Sequence, residues 1–464
     1  MLTPEKSALL RSLLGAVPPQ AASLLARAVE IDRLAGGRTL PHDLILGALR
    51  AALRGSAAPG RTPTPLRLFY RPFEDLLVDD SPKEKQKGRI ARANVATLWA
   101  WLGQSLLVSE VARYASDIKT LLLGQQFDQS AARAAEFWSV AADAIRRAVE
   151  SDRKKARAAL QNEAAVADAE EMALLLSVGG EVGEIQRLLV KPTPLLGDEL
   201  LWALREIHDR VTARVPDAAP YVAVVAMNRL AHPWEALKLP QMITRQSHDT
   251  LISSTDMGLV GDVLFANIEL HGNAVRSARH PLFDAGLLID HLARFTELSS
   301  SIVKEIEMRR DGKWGQRLLK DRAAVAETME GFMERAPKEI QAMLPLQRSG
   351  LFAGGPKSAD FSRPVDDERA ERGMRYARLL AGCARYAALG SFGTAQKDAM
   401  EEVQQHLRGY NEDVIKEMRN AAGERRGVVE RQFELAAELT VLVFSAEEAE
   451  FLRRRGRAAL ANAA

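Results

Sequence analysis

The sequence has a single cysteine in 464 residues, Cys383 in the stretch LLAGCARYAAL. One thiol makes no intramolecular disulfide, and its apolar neighbours mark it as a packing residue, so a reducing cytoplasm is the expected location. No window approaches 18 uninterrupted apolar residues, which excludes an expected membrane span. The start, MLTPEKSALLRSLLG, carries acids early and lacks the basic-then-apolar order of a signal peptide. Charge of one sign is also missing. The 63 basic and 61 acidic residues leave a net charge of +2, which argues against a nucleic-acid-binding or anionic-membrane surface as the main role.

Strong catalytic motifs are absent as well. The chain contains no GxxxxGK[ST], HExxH, GxSxG, CxxC or EF-hand loop. No histidine follows a glutamate by three residues, which removes the paired Glu-x-x-His motif of di-iron bundles. No convincing repeat occurs at periods of 33 to 47 residues. Alternating strand patterns are nearly absent, and the two best strand candidates, Tyr221 to Met227 and Leu439 to Phe444, have helical flanks and read as buried helix turns.

What is present is helical periodicity on an ordinary globular composition, 47% hydrophobic and 27% charged. The expected fold is an all-α array of mostly antiparallel helices with little or no β structure. Four segments are expected: an N-terminal helical segment over 1–55, a helical unit over 66–180, a central unit with long helices over 184–347 and a four-helix unit over 364–464. Glycine- and proline-rich stretches separate them at Gly55 to Pro65 and Arg348 to Pro364. A helix is expected from Pro19 to Leu34, another after Pro41, one from near Gly88, and a long one, continuous or broken, from near Ser130 to Leu176. SVGGEVGE, Ser177 to Glu184, reads as the stop of that long helix. Leu288, Leu292, Phe295, Ile302 and Ile306 form the stripe of a helix packed along its length. Ser445 to Glu448, SAEE, is a capping box. The alanine- and arginine-rich usage points to a GC-rich bacterial genome.

The histidines are the main chemical signal. Six of the eight, His208, His232, His248, His271, His280 and His291, lie between positions 208 and 291. With carboxylates they are of the donor types expected of a divalent-metal site that activates water. The order His208, His248-Asp249, Asp290 resembles that of the HD superfamily of phosphohydrolases. The resemblance rests on four residues and implies a metal-dependent hydrolase. Helical phase puts His208 on the face of Leu201, Leu204 and Val211, and His271 on the face of Leu264, Ile268 and Val275. Both therefore face inward, whereas Asp290 lies about 200° round the helix from Leu288. The metal candidates are His208, His248, Asp249 and His271. The alternative makes His208 and His271 core histidines and the others cap or loop residues.

Two further stretches suggest ligands. Gly179, Gly180 and Gly183 precede a helix, as in dinucleotide sites, but without GxGxxG, so a helix end and turn is expected and no organic cofactor. Lys83, Lys85, Lys87, Arg89 and Arg92 precede Trp99 and Trp101, a pattern that suits phosphates and bases. The two indoles are instead expected inside an apolar helix. With no chemistry nominated strongly, the leading expectation is an interaction or scaffold protein with a protein partner, and the alternative is the divalent-metal hydrolase.

Overall fold

The computed structural model describes residues 4–15, 17–34, 39–52, 63–79, 85–348 and 357–461. Among these, 22 α-helices accompany only two short strand pairs, so the fold is all-α. The chain divides into two compact units, residues 1–244 with 256–263, and residues 245–255 with 264–464. The expected segments 1–55 and 66–180 fall in the first unit and 364–464 in the second; 184–347 is shared between them.

The first unit opens with α1 (Pro4–Gly15), α2 (Pro19–Leu34) and α3 (His42–Ala52). Proline at the first position of α1 and α2 pre-sets the helical φ where no N–H is needed. The three helices enclose a small core of Leu14, Ala22, Val29, Ile45, Leu46 and Leu49. Most of the expected Gly55 to Pro65 linker, through residue 62, lies outside the described residues, as does Lys83. Pro65 itself opens α4 (Pro65–Tyr70), capped by Thr64, whose hydroxyl accepts from Arg67 N at 3.1 Å.

A 3-10 stretch, Arg71–Leu76, leads to β1 (Leu77–Val78), which pairs in parallel with β2 (Ile90–Ala91). The helix expected from Gly88 therefore begins four residues later, as α5 (Arg92–Trp101). Gly88 has φ +81, a left-handed value that a helix start excludes. Next come α6 (Val108–Leu123), α7 (Phe127–Ser151), α8 (Arg153–Leu160) and α9 (Glu163–Ser177). The long stretch from Ser130 to Leu176 takes the broken form, as three helices. Asp152 accepts from Lys155 N at 3.0 Å and Asn162 from Ala165 N at 2.8 Å, each side chain capping a new start.

A helix does end at Ser177, where the glycine stretch is expected to stop it, but a new helix starts at once in place of a longer turn. α10 (Gly179–Leu188) resumes one residue after α9 ends. The unit is completed by α11 (Asp198–Arg214), α12 (Ala219–Met227) and α13 (Lys238–Thr244). Every residue of α12 is buried, which explains why it shows no periodicity: a helix wrapped on all sides is apolar all round. Trp99 and Trp101 do pack inward, Trp101 buried and the Trp99 ring 5.0 Å from Phe69. Tyr114 stacks on Phe137 at 4.3 Å in the same cluster.

Two buried polar networks tie this unit together. Lys85 reaches Asp168 at 2.5 Å and Glu171, both on α9. The other Glu171 oxygen accepts from Gly88 N at 2.6 Å and from the Tyr221 hydroxyl of α12 at 2.6 Å. Asp168 accepts from Ala91 N at 3.0 Å and Asn94 at 2.7 Å. Elsewhere Arg229 binds both oxygens of buried Asp75, at 3.1 and 2.8 Å, and donates to the Leu189 carbonyl at 2.6 Å. Long segments without helix are thereby anchored by side chains that satisfy their backbone groups.

The second unit contains α14 (Asp249–Ser253), α15 (Gly258–Ser277) from Leu264 onward, α16 (Ala285–Glu305) and α17 (Lys313–Met343). The stripe from Leu288 to Ile306 is buried as its spacing predicts. β3 (Leu346–Arg348) pairs antiparallel with β4 (Lys357–Ala359), so the flanks of the expected linker form a ladder; residues 349–356 lie outside the described residues. α18 (Asp367–Gly382), α19 (Ala384–Ala387), α20 (Gly393–Asn420), α21 (Glu424–Val443) and α22 (Ala446–Ala461) follow. Ser445 caps α22 by accepting from Glu448 N at 3.1 Å. Gly456 lets α22 approach α21, since a Cβ there would lie 2.4 Å from the Phe433 ring. Among the described residues no single helix is long and apolar enough to cross a membrane; the pair Arg92–Leu106 and Val108–Leu123, bent by 119°, meets the length and composition criteria jointly.

Candidate interaction surface

The histidine candidates occupy separate local settings. His208 lies on α11, 6% exposed. Its Nδ1 is 3.3 Å from Asp209, a carboxylate that also receives Arg205 at 3.1 Å. Burial lowers its pKa, partly opposed by Asp209. His248 is exposed, with Nδ1 3.1 Å from Glu307. Backbone bonds Asp249 N to Glu307 O and Glu307 N to Ser247 O, 3.2 and 3.0 Å, fix that contact.

Asp249 is fully buried as the first residue of α14. One oxygen accepts from Arg309 N at 3.1 Å, and the other has no hydrogen-bond partner among the described residues. A Cβ at Gly312 would come within 2.7 Å of that second oxygen. The carboxylate therefore caps the tight 309–312 turn, and glycine is required opposite it. His271 meets His291 across α15 and α16, Nδ1 to Nδ1 at 3.0 Å, so one ring donates and the other accepts. Burial, then His291, then Arg294 push His271 down to about 4. Asp290 is exposed, as its helical phase predicts. Among the described residues no three His, Cys, Asp or Glu side chains are grouped so as to hold a metal ion.

The glycine stretch has a packing explanation. A Cβ on Gly179 would lie 2.5 Å from the Trp138 ring, so the glycine allows α10 to approach α7. Beside it is a cleft of about 570 Å³ lined by Trp138, Gly180, Glu181, Glu184, Arg210 and Arg214. Arg210 pairs with Glu184, and Arg214 with Glu181 at 2.6 Å. The cleft's cations are thus matched by its own acids, and it offers a phosphate no uncommitted positive charge.

A third arrangement centres on His280. His280 Nδ1 receives the Tyr376 hydroxyl, while its Nε2 lies 3.6 Å from Glu339, which also binds Arg372 at 2.7 Å. Tyr376 is fully buried and its phenol is pushed up to about 12, chiefly by burial. This chain of groups clasps the 280–284 turn onto α17 and α18.

A large exposed aromatic side chain stands on α11. Gly197 sits before its first turn, and the Leu196 N–H is held by Glu235 at 2.7 Å. Asp198 and Glu199 in the first turn suit the positive end of the helix. Leu201, Leu204, Ile207, His208 and Val211 form the buried face. Trp202 is on the other side, 60% exposed. Of the six tryptophans it alone is exposed. The segment leading into α11 adds Val190 and Leu195, 72% and 61% exposed. The sequence held the signal: Trp202 lies out of phase with the stripe of Leu201, Leu204, His208 and Val211, and acids surround it at i−4, i−3 and i+4.

Fold and site together define an all-α protein built from packed helical hairpins, with polar networks that serve as ties. No protein-family model, curated protein or solved structure matches the chain.

Proposed function

We propose that this chain is an interaction or scaffold protein that docks a protein partner on the outer face of α11. The observation that carries the reading is Trp202. A tryptophan buries the most apolar area of any side chain when covered, and tryptophan is enriched where interfaces concentrate their binding energy. Leaving its indole in water on a regular, well-anchored helix has no benefit for the isolated fold. By contrast, His208, His271, Asp249, Tyr376, Glu171 and Asp75 each have a local partner and hold elements together. The single thiol, Cys383, is buried and pushed up to about 12, which suits a bacterial cytoplasm.

The test is site-specific photocrosslinking in cells. Benzoylphenylalanine at position 202 is expected to give a discrete adduct, suppressed when unlabelled wild-type chain is co-expressed. The same group at exposed Glu368 on α18 is the control. Equal labelling at both positions, or none at 202, overturns the reading.

A further inference from the structure

We infer that the partner presents an arginine- or lysine-rich segment, with a cationic side chain stacked on the Trp202 indole. The inference rests on the docking reading above and specifies the partner's chemistry. Around Trp202, Asp198 stands at i−4, Glu199 at i−3 and Glu206 at i+4, the positions that neighbour it on the helix surface. All three are exposed, and none pairs with a cation among the described residues. The dipole accounts for acids at Asp198 and Glu199, but Glu206 lies past the first turn, where that effect has faded.

The cations of α11 are committed elsewhere. Arg205 binds Asp209 at 3.1 Å and the Met242 carbonyl at 3.3 Å. Arg210 pairs with Glu184, and Arg214 with Glu181. The first half of the outer face is therefore an aromatic plane inside an uncompensated negative field.

The chain covers other rings with its own guanidinium groups. Arg317 lies 5.4 Å from the Phe265 ring centre and Arg385 4.6 Å from that of Tyr386. Trp202, the better cation acceptor by ring type, has neither a ring nor a cation over it among the described residues. An incoming guanidinium within stacking distance of the indole also comes within reach of the carboxylates one turn away. Stacking and charge neutralisation are then satisfied together, and desolvation strengthens both. A neutral apolar segment would cover Trp202 and strand three carboxylates at the rim.

The probe is a fluorescein-labelled peptide of four Arg-Gly repeats, with Gln-Gly and Glu-Gly repeats as controls, titrated against the full chain by anisotropy at low salt. The Arg-Gly peptide is expected to bind, quench tryptophan emission and lose affinity as salt rises. Trp202→Ala is expected to weaken it about tenfold. The triple change Asp198→Asn, Glu199→Gln, Glu206→Gln is expected to weaken it at least as much and to flatten the salt dependence. Far-UV circular dichroism checks that these exposed substitutions leave the helices intact. Equal binding of the Gln-Gly peptide, or affinity unaffected by Trp202→Ala, overturns the inference. A crosslink at 202 with no preference for cationic peptides would sink this chemistry while leaving the docking reading standing. Cationic binding without any cellular crosslink would do the reverse.

Discussion

Replacing Glu171 by alanine removes the acceptor of three donors and strands two of them. Lys85, Gly88 N and the Tyr221 hydroxyl all end on this carboxylate. Tyr221 is 6% exposed and the Lys85 side chain 16%, so water replaces little of what is lost. Lys85 keeps Asp168 at 2.5 Å, and its share of the loss is modest. Gly88 N and the Tyr221 hydroxyl keep nothing, at about 1–3 kcal/mol for each stranded donor. The sum is about 3–5 kcal/mol, the range for breaking a buried charged pair, against a total stability of about 5–15 kcal/mol for a domain. Tyr221→Phe removes only one donor and leaves Glu171 two others, so about 1 kcal/mol is expected. Urea unfolding followed by circular dichroism measures both, from the shift in midpoint at constant slope. Hydrogen exchange at the Gly88 amide should accelerate in Glu171→Ala before the unit unfolds globally. A cost under 1 kcal/mol for Glu171→Ala, or equal costs for the two variants, would refute the claim that this carboxylate ties the 85–91 segment to α9 and α12.

Other predictions follow from single contacts. Gly88→Ala adds a Cβ 2.4 Å from Val263 at φ +81, which combines a left-handed penalty with overpacking and should cost about 2–4 kcal/mol in the same urea assay. Gly456→Ala pushes against Phe433 and should cost about 1–3 kcal/mol, read as a lower melting temperature, while Gly409→Ala, with open space around it, should not. His271 carries a pH dependence. Its folded value of about 4 lies below the ordinary 6.5, so the unfolded chain binds the proton more readily. Its contribution is complete above pH 6.5 and is lost as pH falls toward 4. After allowance for partial solvent screening, about 1–2 kcal/mol should disappear across that window. Wild type minus His271→Gln is the measured difference, and a flat difference between pH 6.5 and 4 contradicts the assignment.

Local signals carried far in this chain where the determinants were themselves local. Pro19 opens α2, Ser445 caps α22, and the stripe from Leu288 to Ile306 lies inward on α16. Readings failed where a distant residue decides. Gly88 looked like a helix start, but its N–H belongs to Glu171, 83 positions away, and the short strand Ile90–Ala91 precedes the helix. The glycine stretch does mark the end of α9 at Ser177, but the restart of the chain as α10 at Gly179, packed against Trp138, was not legible. Asp249 carried a dyad in sequence, but its burial depends on Arg309 N and the close approach of Gly312. Trp202 was legible in phase; what sequence order could not supply is that Arg205, Arg210 and Arg214 are all engaged by other acids.

The most direct test of the account is therefore the crosslink at position 202 in living cells. A discrete adduct at 202, competed by wild-type chain, absent at 368 and lost when Asp198, Glu199 and Glu206 are neutralised, is the predicted result. No adduct at 202, or one that the control position gives equally, would contradict it.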